Sequence, residues 1–358
     1  MAKKYIHPDF QLNGRHYKPS TLIELAIVYI KEGEPHEEEV GGFLLEWLND
    51  KDYVMVNTSG STGEPKTIKL YKKHMVNSAH ATGKHFKLDA DTTALLCLPS
   101  RYIAGKMMLV RAMILGWRLD LVPPMANPLD NVFKRYDFCA MTPFQLDNSV
   151  ARLHLISKLI VGGGPFSESL KKMVKDVDTK VYETYGMTET ITHIAVKRIN
   201  SKKRREGEVP FKTLSKVTVS QDERGCLVIK APKVSTDPII TNDIVDLISY
   251  KKFIWLGRVD NVINSGGIKL FPEQIENKLA STIDVPFFIA SEGDEKLGEK
   301  LILVMETQNT EAAQIDFTAL GKYEVPKAVY CTSAFVRTRN GKVQRGATVR
   351  SLKSEQQI

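Results

Sequence analysis

The sequence contains little cysteine, with four in 358 residues. These cysteines lie far apart and form no C-x-x-C pair, so their spacing predicts neither a disulfide framework nor a zinc site. No apolar run approaches the roughly 20 residues that a membrane helix needs, and the first residues do not have the pattern of a signal peptide. These absences favour a cytoplasmic protein without a membrane partner.

The charge is unbalanced towards lysine and arginine, with a net charge of +8. Such an excess is compatible with nucleic acid, a membrane surface or small anionic ligands. The densest basic run, KKRR at residues 202–205, has no interleaved aromatic residues on which bases would stack. We therefore expect no nucleic-acid partner and favour small anions such as nucleotides, CoA and carboxylates.

A run of small polar residues, NTSGSTGEPKTIKL at residues 57–70, lies between two strand-like segments. Gly60 and Gly63 allow backbone conformations in which N–H groups turn inward. Four hydroxyl groups and one ammonium group add donors, from Thr58, Ser59, Ser61, Thr62 and Lys66. Converging donors of this kind predict a phosphate cradle. From these residues alone, a flexible polar surface loop is an equal alternative.

The cradle differs from a Walker A loop. That motif requires a lysine directly after its last glycine, at the start of a helix. Here Glu64 and Pro65 stand between Gly63 and Lys66, and proline removes an N–H donor. The sequence therefore predicts a phosphate loop of another type.

Apolar runs alternate with helical stretches over the first two thirds of the chain, which predicts an α/β fold around a largely buried sheet. Ser20 is the expected N-cap of a helix over residues 21–31, and a second helix is predicted over 37–48. A glycine turn at 162–165 ends a strand, and Ser167 is expected to cap the next helix.

From Phe211 onwards the pattern changes to short strands typical of antiparallel pairs. We place a boundary near Asp260, with a large N-terminal domain over 1–259 and a small α+β C-terminal domain over 260–358.

Four further segments follow the cradle in a fixed order. They are YETYGMTET at 182–190, TND at 241–243, GRVDNVINSGGIKLFPEQIE at 257–276 and TRNGKVQR at 338–345. With the cradle they resemble the core motifs of the adenylate-forming superfamily, which includes acyl-CoA synthetases, peptide-synthetase adenylation domains and luciferases. The resemblance implies a large N-terminal domain and a small mobile C-terminal domain. It also implies two half-reactions, in which a carboxylate and ATP give an acyl-adenylate and a thiol then takes the acyl group.

The resemblance assigns roles to individual residues. The cradle, from Thr58 to Lys66, is implied to hold the β- and γ-phosphates. Tyr185, followed by Gly186, is implied to stack on adenine beside Gly163 and Gly164. Thr188 and Glu189 are implied as catalytic ligands of the α-phosphate and of magnesium, and Asp243 and Arg258 as ribose ligands.

Lys342 is the implied catalytic lysine, since a cation that bridges carboxylate and α-phosphate lowers the barrier between two anions. Rotation of the small domain about Asp260 is implied to exchange Lys342 for Gly266 and Gly267, which opens a channel for CoA.

Each assignment has a simpler alternative. Glu189 would otherwise be a carboxylate at a helix start, Arg258 a surface ion pair, and Lys342 a solvated loop lysine. Asn242 stands where the superfamily has glycine, and we expect it to preserve the turn because asparagine tolerates positive φ.

Two segments resemble those of o-succinylbenzoate–CoA ligases of menaquinone synthesis. LPSRYIAGK, residues 98–106, matches their L-P-x-F-H-x-x-G, and LIVGGGPFS, residues 159–167, matches their L-L-G-G-A-P-x-S. Tyr102 replaces the histidine, and Arg101 adds a cation. If Arg101 faces the acid pocket, it can pair with the second carboxylate of a dicarboxylic acid. If it faces solvent, that support is lost.

The sequence therefore predicts an AMP-forming acid–CoA ligase that uses ATP, Mg²⁺ and CoA, with o-succinylbenzoate as the favoured acid. The alternatives are a ligase for another aryl or short acyl acid, an adenylation domain that loads a carrier-protein thiol, and a relative that only binds nucleotide. A homodimer is left open.

Overall fold

The computed structural model describes residues 6–58, 66–164, 166–201, 208–308, 315–337 and 343–355, except for the side chains of Thr58, Lys66 and residues 353–355. The helices are α1 (Pro19–Glu32), α2 (Pro35–Leu48), α3 (Lys72–Phe86), α4 (Ile103–Leu115), α5 (Pro143–Ser149), α6 (Glu168–Met173), α7 (Pro272–Leu279) and α8 (Arg345–Glu355). The strands are β1 (Gln11–Leu12), β2 (Arg15–His16), β3 (Tyr53–Thr58), β4 (Lys66–Tyr71), β5 (Thr93–Leu96), β6 (Arg118–Leu121), β7 (Tyr136–Met141), β8 (Ile156–Val161), β9 (Lys180–Gly186), β10 (His193–Arg198), β11 (Phe211–Thr213), β12 (Thr218–Gln221), β13 (Cys226–Lys230), β14 (Ile239–Ser249), β15 (Lys252–Arg258), β16 (Ile263–Ser265), β17 (Ile268–Leu270), β18 (Phe287–Asp294), β19 (Gly298–Glu306) and β20 (Ala328–Thr332).

Thirteen strands of the described residues form one mixed sheet, in the order β12-β13-β14-β15-β11-β10-β9-β8-β7-β5-β6-β1-β2. The neighbours from β6 to β9 run parallel. The neighbours from β9 to β12 run antiparallel. The predicted change from layered α/β structure to antiparallel pairs is confirmed, and β9 is the strand that belongs to both halves.

Both faces of the parallel half are buried. On β5, Ala94 and Leu96 lie in one hydrophobic core, whereas Leu95 lies in the core on the opposite face. Successive side chains of a strand point to opposite faces, so a strand that is buried on both sides reads as a continuous apolar run. This explains why the apolar runs in the sequence predict a largely buried sheet.

The predicted helices are found, with shifted starts. The prediction that Ser20 caps α1 is wrong, because the helix begins at Pro19 and Lys18 is its N-cap. The second helix likewise begins at a proline, Pro35. Proline favours the first helical position because it has no N–H to leave unpaired there. The predicted cap at Ser167 is confirmed, since its side chain accepts a hydrogen bond from the Leu170 N–H at 3.1 Å.

The small C-terminal sheet contains β16 to β20 and also has two buried faces. Leu301 and Leu303 pack with α7 residues on one face, and Ile302 and Val304 pack with Leu352 of α8 on the other. The α/β fold class with a smaller α+β unit is confirmed.

The chain changes from the large to the small sheet between Arg258 and Ile263. Gln274 of α7 nevertheless donates hydrogen bonds to the carbonyls of Trp255 (3.0 Å) and Leu256 (3.2 Å) on β15. A domain boundary at Asp260, with domains 1–259 and 260–358, stays a proposal.

In the part of the chain that the structure describes, no helix has both the length and the apolar character needed to cross a membrane.

The small unit buries one carboxylate whose ionisation opposes folding. Glu276 accepts hydrogen bonds from the Ile289 N–H and from Arg345 Nη2, both at 2.8 Å. Burial raises the pKa of Glu276 from 4.5 to about 7, although Arg345 and the amide act in the opposite direction. Because the raised pKa belongs to the folded state, this contribution to stability is present below about pH 4.5 and is lost as the pH rises through about 7.

We expect Glu276→Gln to flatten the pH dependence of unfolding. For the wild type, ionisation of this group should cost on the order of 3 kcal/mol between pH 4.5 and pH 8. Glutamine still accepts the amide hydrogen bond and cannot ionise. Denaturant unfolding at several pH values measures the slope, and the exposed Glu295 gives a control in Glu295→Gln. A Glu276→Gln protein with the wild-type slope would contradict the assignment.

Candidate active site

Three side chains from distant segments meet at the antiparallel half of the large sheet. The Tyr185 hydroxyl, at the end of β9, donates a hydrogen bond of 2.5 Å to Asp243 Oδ2 on β14. Asp243 is the register partner of Arg258 on β15. The structure therefore brings Tyr185, Asp243 and Arg258 together, and their role in binding a nucleotide stays a prediction.

An aromatic layer supports this meeting point. Phe211 and Phe253, on the neighbouring strands β11 and β15, stack with ring centroids 5.5 Å apart. The Tyr185 ring packs edge-on against Phe253 at 5.1 Å. Burial, and next the Asp243 carboxylate, raise the pKa of Tyr185 well above its usual value, so its hydroxyl remains a donor. The position of the Tyr185 ring is thus fixed by its contact with Phe253 and by the hydrogen bond from its hydroxyl to Asp243.

Arg258 lies between two carboxylates. It donates a hydrogen bond of 2.7 Å to Asp260 and stands opposite Asp243. Burial alone would lower the pKa of Arg258, but the bond to Asp260 and the charge of Asp243 raise it. This arrangement gives hydroxyl groups of a ligand both an acceptor and a donor side by side.

The expected turn at Asn242 is absent from the described structure. Asn242 lies inside the extended strand β14 and does not have a positive φ. Its side-chain oxygen accepts a hydrogen bond of 3.1 Å from Arg224 Nη1. The substitution of glycine is tolerated because an extended strand accepts any side chain, not because asparagine adopts a left-handed conformation.

The chain turns sharply after β9. A Cβ on Gly186 would lie 2.3 Å from the Thr192 carbonyl oxygen, so this close approach of two backbones needs glycine. Thr188 and Glu189 follow in a single 3-10 turn. The Glu189 side chain is exposed, and none of the described residues forms an ion pair or hydrogen bond with it. Its role as a magnesium ligand stays a prediction.

The glycine turn after β8 lies at the same edge of the sheet, since β8 and β9 are parallel neighbours. Gly163 has a φ of +84°. A Cβ on Gly162 would lie 2.3 Å from Thr184 Oγ1, which itself donates to the Val161 carbonyl at 3.0 Å. Gly163 and Gly164 therefore lie beside the strand that carries Tyr185, at the carboxyl edge where α/β sheets bind ligands.

The predicted phosphate cradle joins the antiparallel strands β3 and β4, whose last register pair is Thr58 with Lys66. The cradle residues Ser59, Gly60, Ser61, Thr62 and Gly63 lie outside the described residues, and so do the side chains of Thr58 and Lys66.

The predicted catalytic Lys342 also lies outside the described residues. An isolated bridge between Arg337 and Val343 flanks its segment. Gly266 and Gly267, with φ of +58° and +82°, form the turn between β16 and β17 in the small unit. The role of this turn in CoA binding stays a prediction.

The structure decides between the two orientations that the sequence left open for Arg101. The Arg101 side chain is 64% exposed, with its Nε 3.4 Å from Glu39 Oε1, and the Arg101 N–H donates to the same carboxylate at 3.1 Å. Tyr102, the N-cap of α4, is also exposed. Glu39 on α2 holds Arg101 at the surface, so the argument for a second carboxylate at Arg101 is lost.

A second arginine, which sequence reasoning missed, occupies the interior instead. Arg111 on α4 is 1% exposed. Its Nη2 donates to Thr192 Oγ1 at 3.3 Å, its Nη1 contacts the Met108 sulfur at 3.5 Å, and its Nε has no partner. Among the described residues, no carboxylate lies at ion-pair distance from it.

Within the described part of the chain, the charge of Arg111 is therefore uncompensated. Burial lowers the pKa of Arg111 to about 9, which leaves it protonated at neutral pH. Burial and the charge of Arg111 hold the pKa of neighbouring His193 well below its ordinary value, so this imidazole is neutral. Buried charges in proteins are normally paired, so the arrangement favours an anionic ligand. One sequence signal could have revealed Arg111, because it is the single arginine in the otherwise apolar stretch MMLVRAMIL.

Comparison with known proteins identifies the family. The model for the AMP-binding enzyme family matches residues 29–234, more than half of the chain. The chain belongs to this AMP-binding enzyme family. Its membership confirms the resemblance that the ordered motifs indicated.

Individual members of the AMP-binding family align over most of the chain. A solved acyl-CoA synthetase (AMP-forming)/AMP-acid ligase II-like protein from Dyadobacter fermentans is 36% identical, covers 92% of this chain and 98% of its own, and has a TM-score of 0.61. The 2-succinylbenzoate–CoA ligase of Bacillus cytotoxicus is 27% identical over 81% of this chain and 68% of its own length. MenE from Bacillus subtilis, solved with ATP and magnesium, is 19% identical over 82% of this chain and 69% of its own, with a TM-score of 0.72. This last likeness supports the fold alone.

We expect Asp243→Asn to weaken ATP binding. The change removes the charge that faces Arg258 and one strong acceptor for ligand hydroxyls, and hydrogen bonds to charged groups contribute about 1.5–3 kcal/mol. The dissociation constant for ATP, measured by calorimetry, should rise by about tenfold or more. Asp246→Asn is the matched control, because Asp246 is exposed on the same strand. Equal affinities in the two variants would remove Asp243 from the site.

Proposed function

We propose that this protein is an AMP-forming acid–CoA ligase whose acid is 2-succinylbenzoate, with ATP, Mg²⁺ and CoA as the other participants. In the first half-reaction, a carboxylate oxygen of the acid bonds to the α-phosphorus of ATP and pyrophosphate leaves. In the second, the CoA sulfur bonds to the acyl carbon, its proton is released, and AMP leaves. The product would serve menaquinone synthesis.

Membership of the AMP-binding family supports the first half-reaction, and the curated 2-succinylbenzoate–CoA ligase among its relatives supports the second. The convergence of Tyr185, Asp243 and Arg258 supports a nucleoside site, since Tyr185 lies 58 positions before Asp243 in the sequence and still meets it in space. The assignment of each residue to adenine or ribose is part of the proposal.

The buried Arg111 is the observation that carries the choice of acid. 2-Succinylbenzoate has two carboxylates, and only one of them reacts. The other remains an anion and needs a cation where water is excluded. Arg111 offers a charge without a carboxylate partner among the described residues, and its planar guanidinium suits bidentate binding of a carboxylate. Thr192 holds one edge of this guanidinium.

The proposed mechanism assigns binding and orientation to residues at the edge of the large sheet. Tyr185 and Asp243 fix the nucleoside, and Thr188 faces the α-phosphate. Lys342 stabilises the charge that develops as the carboxylate reaches this phosphorus. Orientation of two reactants on one scaffold supplies much of the rate, because it removes the entropy cost of bringing them together.

Magnesium fits the exposed carboxylate of Glu189, which has no ion-pair partner among the described residues, since a hard cation prefers oxygen ligands. When bound, it would neutralise charge on the phosphates. Within the described residues no cluster of three or more His, Cys, Asp or Glu side chains is placed to hold a metal.

Arg111→Met tests the acid subsite. Removing one partner of a buried charge pair costs about 2–5 kcal/mol, so the KM for 2-succinylbenzoate should rise by about 30-fold or more, whereas the KM for ATP should change little. Coupled assays of pyrophosphate release and of thioester formation measure both. Because the unpaired charge is costly to bury, the ligand-free variant should melt at the same or a higher temperature than the wild type.

Two controls distinguish Arg111 from a general defect. Arg101→Ala removes the exposed arginine that pairs with Glu39 and should leave the KM for the diacid unchanged. The substrate 3-benzoylpropanoate lacks the second carboxylate, so Arg111→Met should not raise its KM. If Arg101→Ala raised the KM for the diacid strongly and Arg111→Met did not, the second carboxylate would bind at Arg101 in the surface segment and not at Arg111.

Lys342→Ala tests the catalytic lysine. Loss of one preorganised donor should slow adenylate formation by about 10²–10³, while thioester formation from preformed acyl-adenylate and CoA should persist. Single-turnover assays of each half-reaction separate the two effects, and Lys296→Ala, at an exposed lysine of the small unit, serves as the control. Equal losses in both half-reactions would contradict the role.

An assay with each acceptor separates the remaining alternatives. A free-standing ligase should form a thioester with CoA itself, whereas a loading domain should react only with a phosphopantetheinyl carrier protein. Rotation about Asp260, with Gly266 and Gly267 beside the CoA thiol, is part of the same proposal, as are a cytoplasmic location and a homodimer.

A further inference from the structure

A strained turn lies between the two parts of the proposed site. Ile191 has φ of +67° and ψ of −59°, and the Thr192 N–H donates to the Thr190 carbonyl at 2.8 Å. These values define a γ-turn of the rare, strained type. Positive φ is a severe outlier for a β-branched residue and costs on the order of 1–3 kcal/mol. The Ile191 side chain is 1% exposed, so core packing holds it in place.

The residues before Ile191 belong to the proposed nucleotide subsite. The Ile191 N–H donates to the Thr188 carbonyl at 2.9 Å, which closes the turn that carries Thr188 and Glu189. The Thr190 hydroxyl accepts from the Met187 N–H at 2.9 Å and lies 2.7 Å from the Thr192 carbonyl oxygen, to which it donates. The Thr190 hydroxyl thus bonds both to Met187, which precedes Thr188, and to Thr192, which follows Ile191.

Thr192, which follows Ile191, belongs to the proposed acid subsite. The Thr192 hydroxyl accepts the hydrogen bond from Arg111 Nη2. The Thr192 carbonyl lies so close to Gly186 that no Cβ would fit between them. Any shift of Thr192 towards or away from Arg111 therefore moves the backbone beside Gly186 and the hydroxyl of Thr190. The two parts of the site are connected by a few tightly bonded residues rather than by a flexible loop.

We propose that the turn from Met187 to Thr192 couples the acid subsite at Arg111 to the nucleotide subsite at Thr188 and Glu189, with the hydroxyls of Thr190 and Thr192 as positioning groups. This inference rests on the proposed function. A carboxylate bound to Arg111 fixes the guanidinium, and through Thr192 it fixes the turn in the conformation that the nucleotide needs. Coupling of this kind is reciprocal, so each ligand tightens the binding of the other by the same factor.

The test compares nucleotide affinity with and without the acid. The probe is α,β-methylene-ATP with Mg²⁺, which cannot release pyrophosphate, titrated calorimetrically at zero and at saturating 2-succinylbenzoate. For the wild type, the acid should tighten nucleotide binding by about fivefold or more. In Thr192→Val and in Thr190→Val, which keep the shape and lose the hydroxyl, this factor should fall towards one.

Conservative and structural controls accompany these variants. Thr192→Ser and Thr190→Ser keep the hydroxyl and should retain the coupling. Thr82→Val removes another buried hydroxyl, which bonds to the Ser78 carbonyl and contacts His193 but does not touch Arg111. It should lower the melting temperature without changing the coupling factor.

The outcomes separate this inference from the proposed function. If the acid binds alone but leaves nucleotide affinity unchanged in the wild type, or if both valine variants keep the full coupling, the inference is overturned and the function stands. If 2-succinylbenzoate neither binds alone nor yields a CoA ester, the proposed function fails, and the inference fails with it.

Discussion

The hydrogen bond from the Tyr185 hydroxyl to the Asp243 carboxylate joins the two halves of the large sheet. Tyr185 ends β9, which pairs in parallel with β8 and antiparallel with β10, and Asp243 lies four strands away on β14. Their meeting therefore depends on every intervening strand pair. A register slip of one residue in β14 would turn Asp243 to the opposite face of the sheet. The fold thus determines the site through its topology, since no local sequence signal could bring these two residues together.

The two arginines near α4 show why an unpaired charge is more useful for binding than a paired one. Arg101 is exposed and already has Glu39 as its partner, so a ligand would have to displace this ion pair and compete with water. Arg111 is buried and has no carboxylate partner among the described residues, so the folded protein bears a desolvation cost before any ligand arrives. An anion that binds to Arg111 pairs with its charge and offsets this desolvation cost. A preorganised binding site commonly makes the ligand-free protein less stable in this way.

Much of the fold could be predicted from the sequence, because strands buried on both faces and prolines at helix starts leave clear local patterns. The ordered motifs placed Tyr185, Asp243 and Arg258 in one set, and the structure brings them together. Two features could not be predicted in this way. Asn242 lies in the extended strand β14 because residues on either side of it pair with neighbouring strands, Ile240 with Val228 of β13 and Asp243 with Arg258 of β15. Arg101 turns to solvent because Glu39 is presented by a distant helix. Both depend on tertiary contacts.

Two departures from ordinary folding rules lie on either side of Thr192. Arg111 buries a charge without a counter-ion among the described residues, and Ile191 holds a β-branched side chain at positive φ. Each is costly by itself. Such departures persist where function requires them, because selection otherwise removes an avoidable cost. Thr192 touches both, through its hydroxyl on one side and its backbone on the other. Two unrelated kinds of strain next to one residue, Thr192, are therefore better explained by a shared role in the site than by separate accidents of packing.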